Sequence, residues 1–424
     1  MLDTIKKASR EPEVRKRFWF TLLMLIVYRL GNNIPIPFID RGALQAAYSN
    51  VEGTLVDYLN MLTGGGLSTL SIFALGVQPY ITSSIVMQLL TVVIPRLEEL
   101  TREGEQGRKQ IQKYTRYLTI VLAIFQAIAV TNGLYGQALS NATGFEKFVM
   151  NVVLIGGTMF VTWMGETITE KGLGNGTSLI IFMGIIASFP RTISRWSTQV
   201  HYGLTGYLPM IIMAIIVVLI VIAVVLISEG ERKIPIQYAK RVVGRKMYGG
   251  QSTHIPVKVN MGGVMPIVFA SAVLAIPSTI SLFFGNGGQS GINNFFQNTT
   301  GGFIVYLLLQ SALILIFAYF YNQIQFNTVE YAKQLQQNGG FIPGIRPGKP
   351  TSEYLGKVAT RITFIGSIAL ALLTIIPAIA SRLLGITISF GGSSVIIVVG
   401  VIIETIKQLE AMMTMKQYKG FLNR

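Results

Sequence analysis

The chain has 424 residues, 51% of them hydrophobic and only 13% charged, with a mean hydropathy of +0.53 and a net charge of +16. That is about half the charged fraction of an ordinary soluble chain, and runs such as LPMIIMAIIVVLIVIAVVLIS, from Leu208 to Ser228, are long enough to cross a bilayer, which excludes a soluble globular protein. The absence of cysteine excludes disulfides, thiolate metal sites and cysteine nucleophiles.

The first apolar run begins at Phe18, directly after Arg15, Lys16 and Arg17, and has no small-residue cleavage site. It reads as a spanning helix, not as a removable signal. In chain order, apolar runs and polar breaks predict ten spans. Five fall at 18–34, 72–94, 117–135, 148–168 and 177–193, and five more at 207–228, 263–284, 303–323, 361–381 and 392–409. The expected fold is an all-α polytopic membrane protein, with an N-terminal half at 1–200 and a C-terminal half at 201–424. Ile220, midway along the sixth span, is expected to face lipid.

Between the first two spans lies LTGGGLSTL, Leu62 to Leu70, too short and too polar to cross a membrane. Backbone at membrane depth cannot leave its polar groups unpaired against lipid, so this segment must pack in protein or line a cavity. Glycine allows close packing and easy rearrangement. A re-entrant half-helix serving as a plug is the expectation for about 55–70.

With the N-terminus inside, 29 of the 35 Lys and Arg fall in the tail, the alternate loops and the C-terminus. This positive-inside bias explains most of the net charge and places both termini in the cytosol. Two inside loops, about 229–262 and 324–361, are far longer than a connection needs. Charge alone could serve topology or anionic lipid. It would not call for GGFIPGIRPG, Gly339 to Gly348, whose Gly and Pro residues specify a shaped turn. A docking platform for a cytosolic partner fits better.

An internal match links the halves: GVQPYITSS from Gly76 and GVMPIVFAS from Gly263 share Gly-Val-x-Pro, and Ser84 and Ser271 each follow the Gly by eight residues. Five spans separate them, so they enter the membrane from opposite sides. That describes an inverted repeat with the functional path between the halves. A secondary transporter shares this pattern, but such proteins carry ionisable groups within the membrane. Here Asp occurs only at 3, 40 and 57, outside every predicted span. Glu166 and Glu404 sit near inside ends, where solvation suffices, and Arg29 is expected to snorkel or pair. An enzyme is disfavoured further: HExxH and GxxxxGK[ST] are absent, and His201 and His254 fall in loops on opposite sides.

Eight segments in order, IPIPFID, FALGVQPYITSSIVMQLL, GEQGRKQIQKYTRY, WMGETITEKGLGNGTSLIIF, QYAKR, QSTHIPVKVNMGGVMPIVFAS, GGFIPGIRPG and FGGSSVIIVV, resemble the SecY family of channel subunits in bacterial protein-conducting translocons. The resemblance spans essentially the whole chain. It implies an hourglass channel between two inverted halves, without catalysis, cofactor or metal, in the bacterial cytoplasmic membrane. Its plug would include Leu62, Gly64, Gly65, Gly66, Leu67 and Leu70. Its constriction would be a ring of Val77, Ile81, Ile181, Val268 and Ile397, with Thr177 where the family often has isoleucine. A lateral gate, through which signal peptides and membrane segments reach lipid, would carry Thr82, Ser83, Ser84, Gln88 and Ser271, pairing across helices. Tyr238, Lys240, Arg241 and Arg346 would dock the SecA ATPase or a ribosome. The implied partners are SecE and SecG in a heterotrimer, SecA, the ribosome, the translocating polypeptide and lipid, with no role for DNA.

Overall fold

The structure is a computed structural model that describes residues 11–39, 42, 44, 48, 55–136, 138–140, 142–201, 206–238, 241–243, 246–248, 252–284, 299–384 and 391–422. Each of the ten expected apolar stretches coincides with a helix. They are α1 (Pro12–Gly31), α3 (Gln78–Val93), α5 (Glu105–Ile128), α6 (Gly144–Lys171), α7 (Gly176–His201), α8 (Tyr207–Glu229), α9 (Met265–Phe284), α10 (Thr300–Gln325), α12 (Lys349–Leu384) and α13 (Gly392–Leu422). Among the described residues, three short helices lie between them: α2 (Leu55–Leu62), α4 (Pro95–Arg102) and α11 (Thr328–Gln337). Among the described residues six helices are individually long and apolar enough to cross a membrane. The pair α3 and α4, bent by 100°, makes a seventh if counted as one span. The chain is a multi-pass membrane protein.

Several boundaries depart from expectation for physical reasons. α3 starts at Gln78 and not 72, because residues 72–77 turn before Pro79 starts the helix at N2. α5 starts at Glu105, twelve residues before the apolar run, since polar helix formers continue it beyond the membrane. α12 likewise begins at Lys349 and holds 36 residues. At 1.5 Å per residue it is about 54 Å long, well beyond the hydrocarbon thickness. Ile220 is buried with Met213 and Val224 against α12 and α13, so it does not face lipid; Leu219 and Ile222 on the same helix are exposed.

The all-α expectation needs one amendment. The two long loops hold strands β1 (Glu231–Tyr238), β2 (Arg241–Val243), β3 (Lys246–Tyr248), β4 (Ser252–Lys258) and β5 (Gly340–Phe341). β1 pairs antiparallel with β4 from Glu231↔Lys258 to Gln237↔Ser252, and with β5 through Gln237↔Phe341 and Tyr238↔Gly340. The strand order β4-β1-β5 therefore joins both loops in one sheet. Ile234 and Val257 from the sheet, with Ile342, pack on Leu355, Val358 and Ile362 of the extended start of α12. A small core of this kind explains why the loops are ordered: alternate strand residues have a helix to cover them. Leu355 is fully buried there. Leu355→Ala is expected to cost roughly 2–5 kcal/mol of that body's stability, read as faster protease nicking within 229–262 in sealed vesicles.

The main core joins residues of α1, α3, α6 to α10, α12 and α13 with Met61 of α2. A second cluster packs Val56, Leu67, Leu70 and Leu75 against the end of α5, its π-turn at Ala129–Leu134, Tyr135 and Leu154 of α6.

Candidate functional site

The matched Gly-Val-x-Pro motifs adopt matching backbones. Gly76 has φ 54° and Gly263 has φ 59°, a region open to glycine at little cost, and each begins the turn into α3 or α9. Val77 and Val264 are both buried. Two residues after each proline, Ile81 and Val268 line one cavity of about 390 Å³ together with Ile181. The rest of its wall is largely polar: Ser84, Gln88, Gln112, Glu166, Thr177 and Tyr321 are among its residues. A second cavity, about 50 Å³ and mostly apolar, is lined by Val56, Leu59 and Leu62 of α2 with Val77. Ile81 and Ile181 border both. Two branched aliphatic side chains thus line both the polar-walled cavity and the apolar space bordered by α2.

Val77, Ile81, Ile181 and Ile397 are buried, Val268 is partly so, and all five belong to one apolar cluster with Met61 and Leu62. Thr177 lines the polar-walled cavity, with its hydroxyl facing Gly165 of α6.

The segment before α3 is helical only over Leu55–Leu62, shorter than the expected 55–70. Glycines 64 and 65, with φ of 71° and 89°, end the helix, and residues 63–70 continue as turns. Gly64, Gly65, Gly66, Leu67 and Leu70 are buried. Backbone groups freed by the turns are met by side chains, as buried backbone requires. Tyr135 donates to Leu67 O at 2.6 Å, and the Asn60 amide oxygen accepts from Ser68 N at 2.8 Å. Met61 Sδ lies 3.6 Å from Ser394 Oγ at the start of α13. Asp57, outside every expected span, sits in α2, where its carboxylate accepts a hydrogen bond from Tyr48 at 2.6 Å. Arg29 pairs, one of its two expected outcomes: Nη1 donates to Gly64 O at 3.0 Å.

The seam between α3 and α9 differs from its expected pairing. Thr82 Oγ1 donates to Gln78 O at 3.1 Å and Ser83 Oγ to Pro79 O at 2.8 Å, so both bond within their own helix. A hydroxyl one turn above a carbonyl finds that partner without any second helix. Gln88 reaches Ser84 at 3.5 Å and Tyr321 of α10. Its Oε1 and Ser271 Oγ are buried with no partner among the described residues. The seam therefore has few polar ties and is held by packing of α3 on α9.

Glu166, expected to be solvated, is buried and fully engaged. Its carboxylate accepts Arg116 Nε at 3.0 Å, Arg116 Nη2 at 2.5 Å and Gln112 Nε2 at 3.0 Å. The early start of α5 places Gln112 and Arg116, one turn apart, beside α6. Sequence reading missed this pair because the partners lie 50 residues apart. It also missed Tyr28 and Asn32. Their spacing with Arg29 on the last turn of the first helix was the available signal.

On the loops, Tyr238 ends β1 beside Gly340, and Arg346 is exposed after the second loop's turn. The Arg346 carbonyl accepts Thr351 Oγ1 at 2.9 Å, fixing that turn to the start of α12. Arg241 lies in β2, and Lys240 lies outside the described residues. Tyr238 and Arg346 thus belong to one body formed by both loops.

Comparison with known proteins agrees with this geometry. A family model described as SecY matches residues 71–406. The protein translocase subunit SecY of Escherichia coli K12 is 42% identical over 418 residues, 97% of this chain and 94% of that protein. Its counterpart in Aquifex aeolicus is 41% identical over 432 residues, covering all of both chains. Among solved structures, one described as a protein conducting channel superposes with a TM-score of 0.68 at 19% identity, over 96% of each chain. Canine Sec61 in a ribosome–channel complex gives 0.64 at 18% identity, also over 96% of each. With 42% identity along nearly its whole length and a family match over most of it, the chain belongs to the SecY family.

Proposed function

We propose that the chain is the channel subunit of a protein translocase, passing unfolded polypeptides across the bacterial cytoplasmic membrane. The observation that carries this reading is that Ile81 and Ile181 line both the polar-walled cavity and the apolar space bordered by α2. Branched aliphatic side chains can close around a moving chain without offering hydrogen bonds that would arrest it, and in its absence they dewet the passage. The names of the relatives, protein translocase subunits, support the same reading.

In this reading the ten helices all span, as two inverted halves, 1–200 and 201–424, with both termini in the cytosol. The Leu55–Leu70 segment is the plug. α3 and α5 part from α9 and α10 to release signal sequences into lipid, a motion favoured by the scarcity of polar ties across that seam. The joined loops, with Tyr238, Lys240, Arg241 and Arg346, dock the SecA ATPase or a translating ribosome. Arg346 suits carboxylate or phosphate because its planar fork bonds bidentately. SecE and SecG complete the heterotrimer.

The test uses the cysteine-free chain. Ile81→Cys is assembled with its partner subunits and ATPase in vesicles, and a secretory polypeptide bearing one cysteine is stalled in transit. Oxidation is expected to link the polypeptide to position 81 at least tenfold more than to a cysteine at exposed Leu219. Equal labelling would place the path elsewhere. A polypeptide that never crosses would return the transporter reading.

A further inference from the structure

The segment that borders the apolar space is held differently along its length. Along α2, the Asp57 carboxylate accepts a hydrogen bond from Tyr48 at 2.6 Å, while Val56, Leu59 and Leu62 border a void and Met61 meets Ser394 through sulfur. Just after α2, at Thr63 and Gly64, the last turn of α1 supplies a dense set of donors. Tyr28 Oη donates to Thr63 O at 3.2 Å. Asn32 Nδ2 donates to the same oxygen at 2.7 Å and to Gly64 O at 3.1 Å. Arg29 Nη1 adds a bond to Gly64 O at 3.0 Å. The Asn32 amide is itself oriented, because Ser71 Oγ donates to its Oδ1 at 3.1 Å. Asn32 is 2% exposed and Tyr28 1%, so water does not compete for these carbonyls.

Tyr28, Arg29 and Asn32 lie at positions i, i+1 and i+4, which brings them to one end of α1 around a single target. That target carries two glycines with positive φ, Gly64 and Gly65, where the torsions can change without a side-chain clash. Apolar contacts are non-directional and are replaced readily by those of another apolar chain. Buried carbonyls stripped of their donors are not replaced so easily.

We propose that Tyr28, Arg29 and Asn32 are positioning residues that keep Thr63–Gly66 seated while α2 moves, so the closing segment swings on a fixed foot and returns to register. This rests on the channel reading above. The alternative is that the whole segment, Leu55 to Leu70, leaves its seat as one body.

Two cysteine pairs separate the cases. A Cβ at Gly66 would fall 2.1 Å from Asn32 Oδ1, so Asn32→Cys with Gly66→Cys reports the foot. Met61→Cys with Ser394→Cys reports α2. Disulfide yield is measured in vesicles at rest and with a polypeptide stalled in the channel. The foot pair is expected to keep its yield within about twofold, and its oxidised form to go on translocating. The α2 pair is expected to lose at least fivefold when the polypeptide enters. Equal loss from both pairs would overturn the proposal. A second arm keeps the foot free of cysteine: Asn32→Ala in the Met61→Cys, Ser394→Cys background. It is expected to lower the resting disulfide yield and raise resting ion conductance about fivefold, at unchanged assembly with the partner subunits. Asn32→Gln, which retains an amide donor, is expected to recover more than half of each effect. Resting yield and conductance at wild-type values in Asn32→Ala would also overturn it. If the wild-type chain admits no polypeptide at all, the channel reading falls first, and this proposal with it.

Discussion

Arg116→Ala is expected to destabilise the protein by about 1–3 kcal/mol and to make the resting channel leak, whereas removing Glu166 as well restores more than half of the loss. The carboxylate of Glu166 has a side chain only 8% exposed and accepts three hydrogen bonds, two of them from the Arg116 fork. Deleting the arginine leaves a buried anion with Gln112 as its remaining described donor. Breaking a fully buried pair typically costs about 3–5 kcal/mol. Arg116 is 46% exposed, so solvent screening reduces that figure here. In Arg116→Ala with Glu166→Ala neither charge remains, and the penalty for an unpaired anion disappears. Arg116→Lys should recover only part, since an ammonium cannot reproduce the bidentate fork. Thermal unfolding in detergent measures the first effect and vesicle conductance the second. The link between them is positional: α5 packs on α3, which carries Ile81, and the pair fixes α5 against α6. Additive single and double variants would show that the two side chains do not act as a unit.

The sequence made the membrane helices legible because an apolar run against a polar break is a one-dimensional signal. The helices at all ten predicted stretches follow from it. Extensions such as Glu105 to Arg116 and Lys349 to Arg361 were hidden, since a helix that leaves the bilayer loses the hydropathy that announces it. β1, β4 and β5 were hidden for another reason: the pairing of β1 with β5 joins loops about 100 residues apart, and the sheet depends on α12 to cover it. Periodicity within either loop carries no record of that. At the site, the family resemblance supplied Ile81 and Val268, and the repeated Gly-Val-x-Pro sets them at equivalent positions, each two residues after its proline, the glycine being visible because the backbone needs a positive φ there. The Arg116–Glu166 pair and the approach of Gly184 to Leu62 are contacts between distant segments, without a local signature. The expected hydroxyl pairs across the seam failed because a nearby carbonyl on the same helix is the easier partner.

Gly184→Val is expected to have the largest effect on closure of any single methyl-bearing substitution near α2. Gly184 lies on α7, where the backbone of the closing segment runs directly against it. A Cβ at this position would stand 2.2 Å from Leu62 O, 3.0 Å from Leu62 C and 3.1 Å from Gly64 N. These are backbone atoms at the end of α2, so no side chain can rotate out of the way. The glycine is buried within the apolar cluster that also holds Ile181 and Ile185 of the same helix, which limits movement of α7. Overpacking of this kind costs about 1–3 kcal/mol when the surroundings yield slightly. Here the softer element is the eight-residue α2, and its displacement opens the space beneath Ile81. The expected result is a resting ion conductance at least tenfold above wild type with only a modest drop in melting temperature. Gly184→Ala should fall between. Gly156→Val on α6 serves as the control, because a Cβ there meets nothing within 4 Å. A Gly184→Val channel as tight as wild type would mean that the backbone of α2 can shift at this point without losing its seal, and the seat would then lie further along, at Asn32.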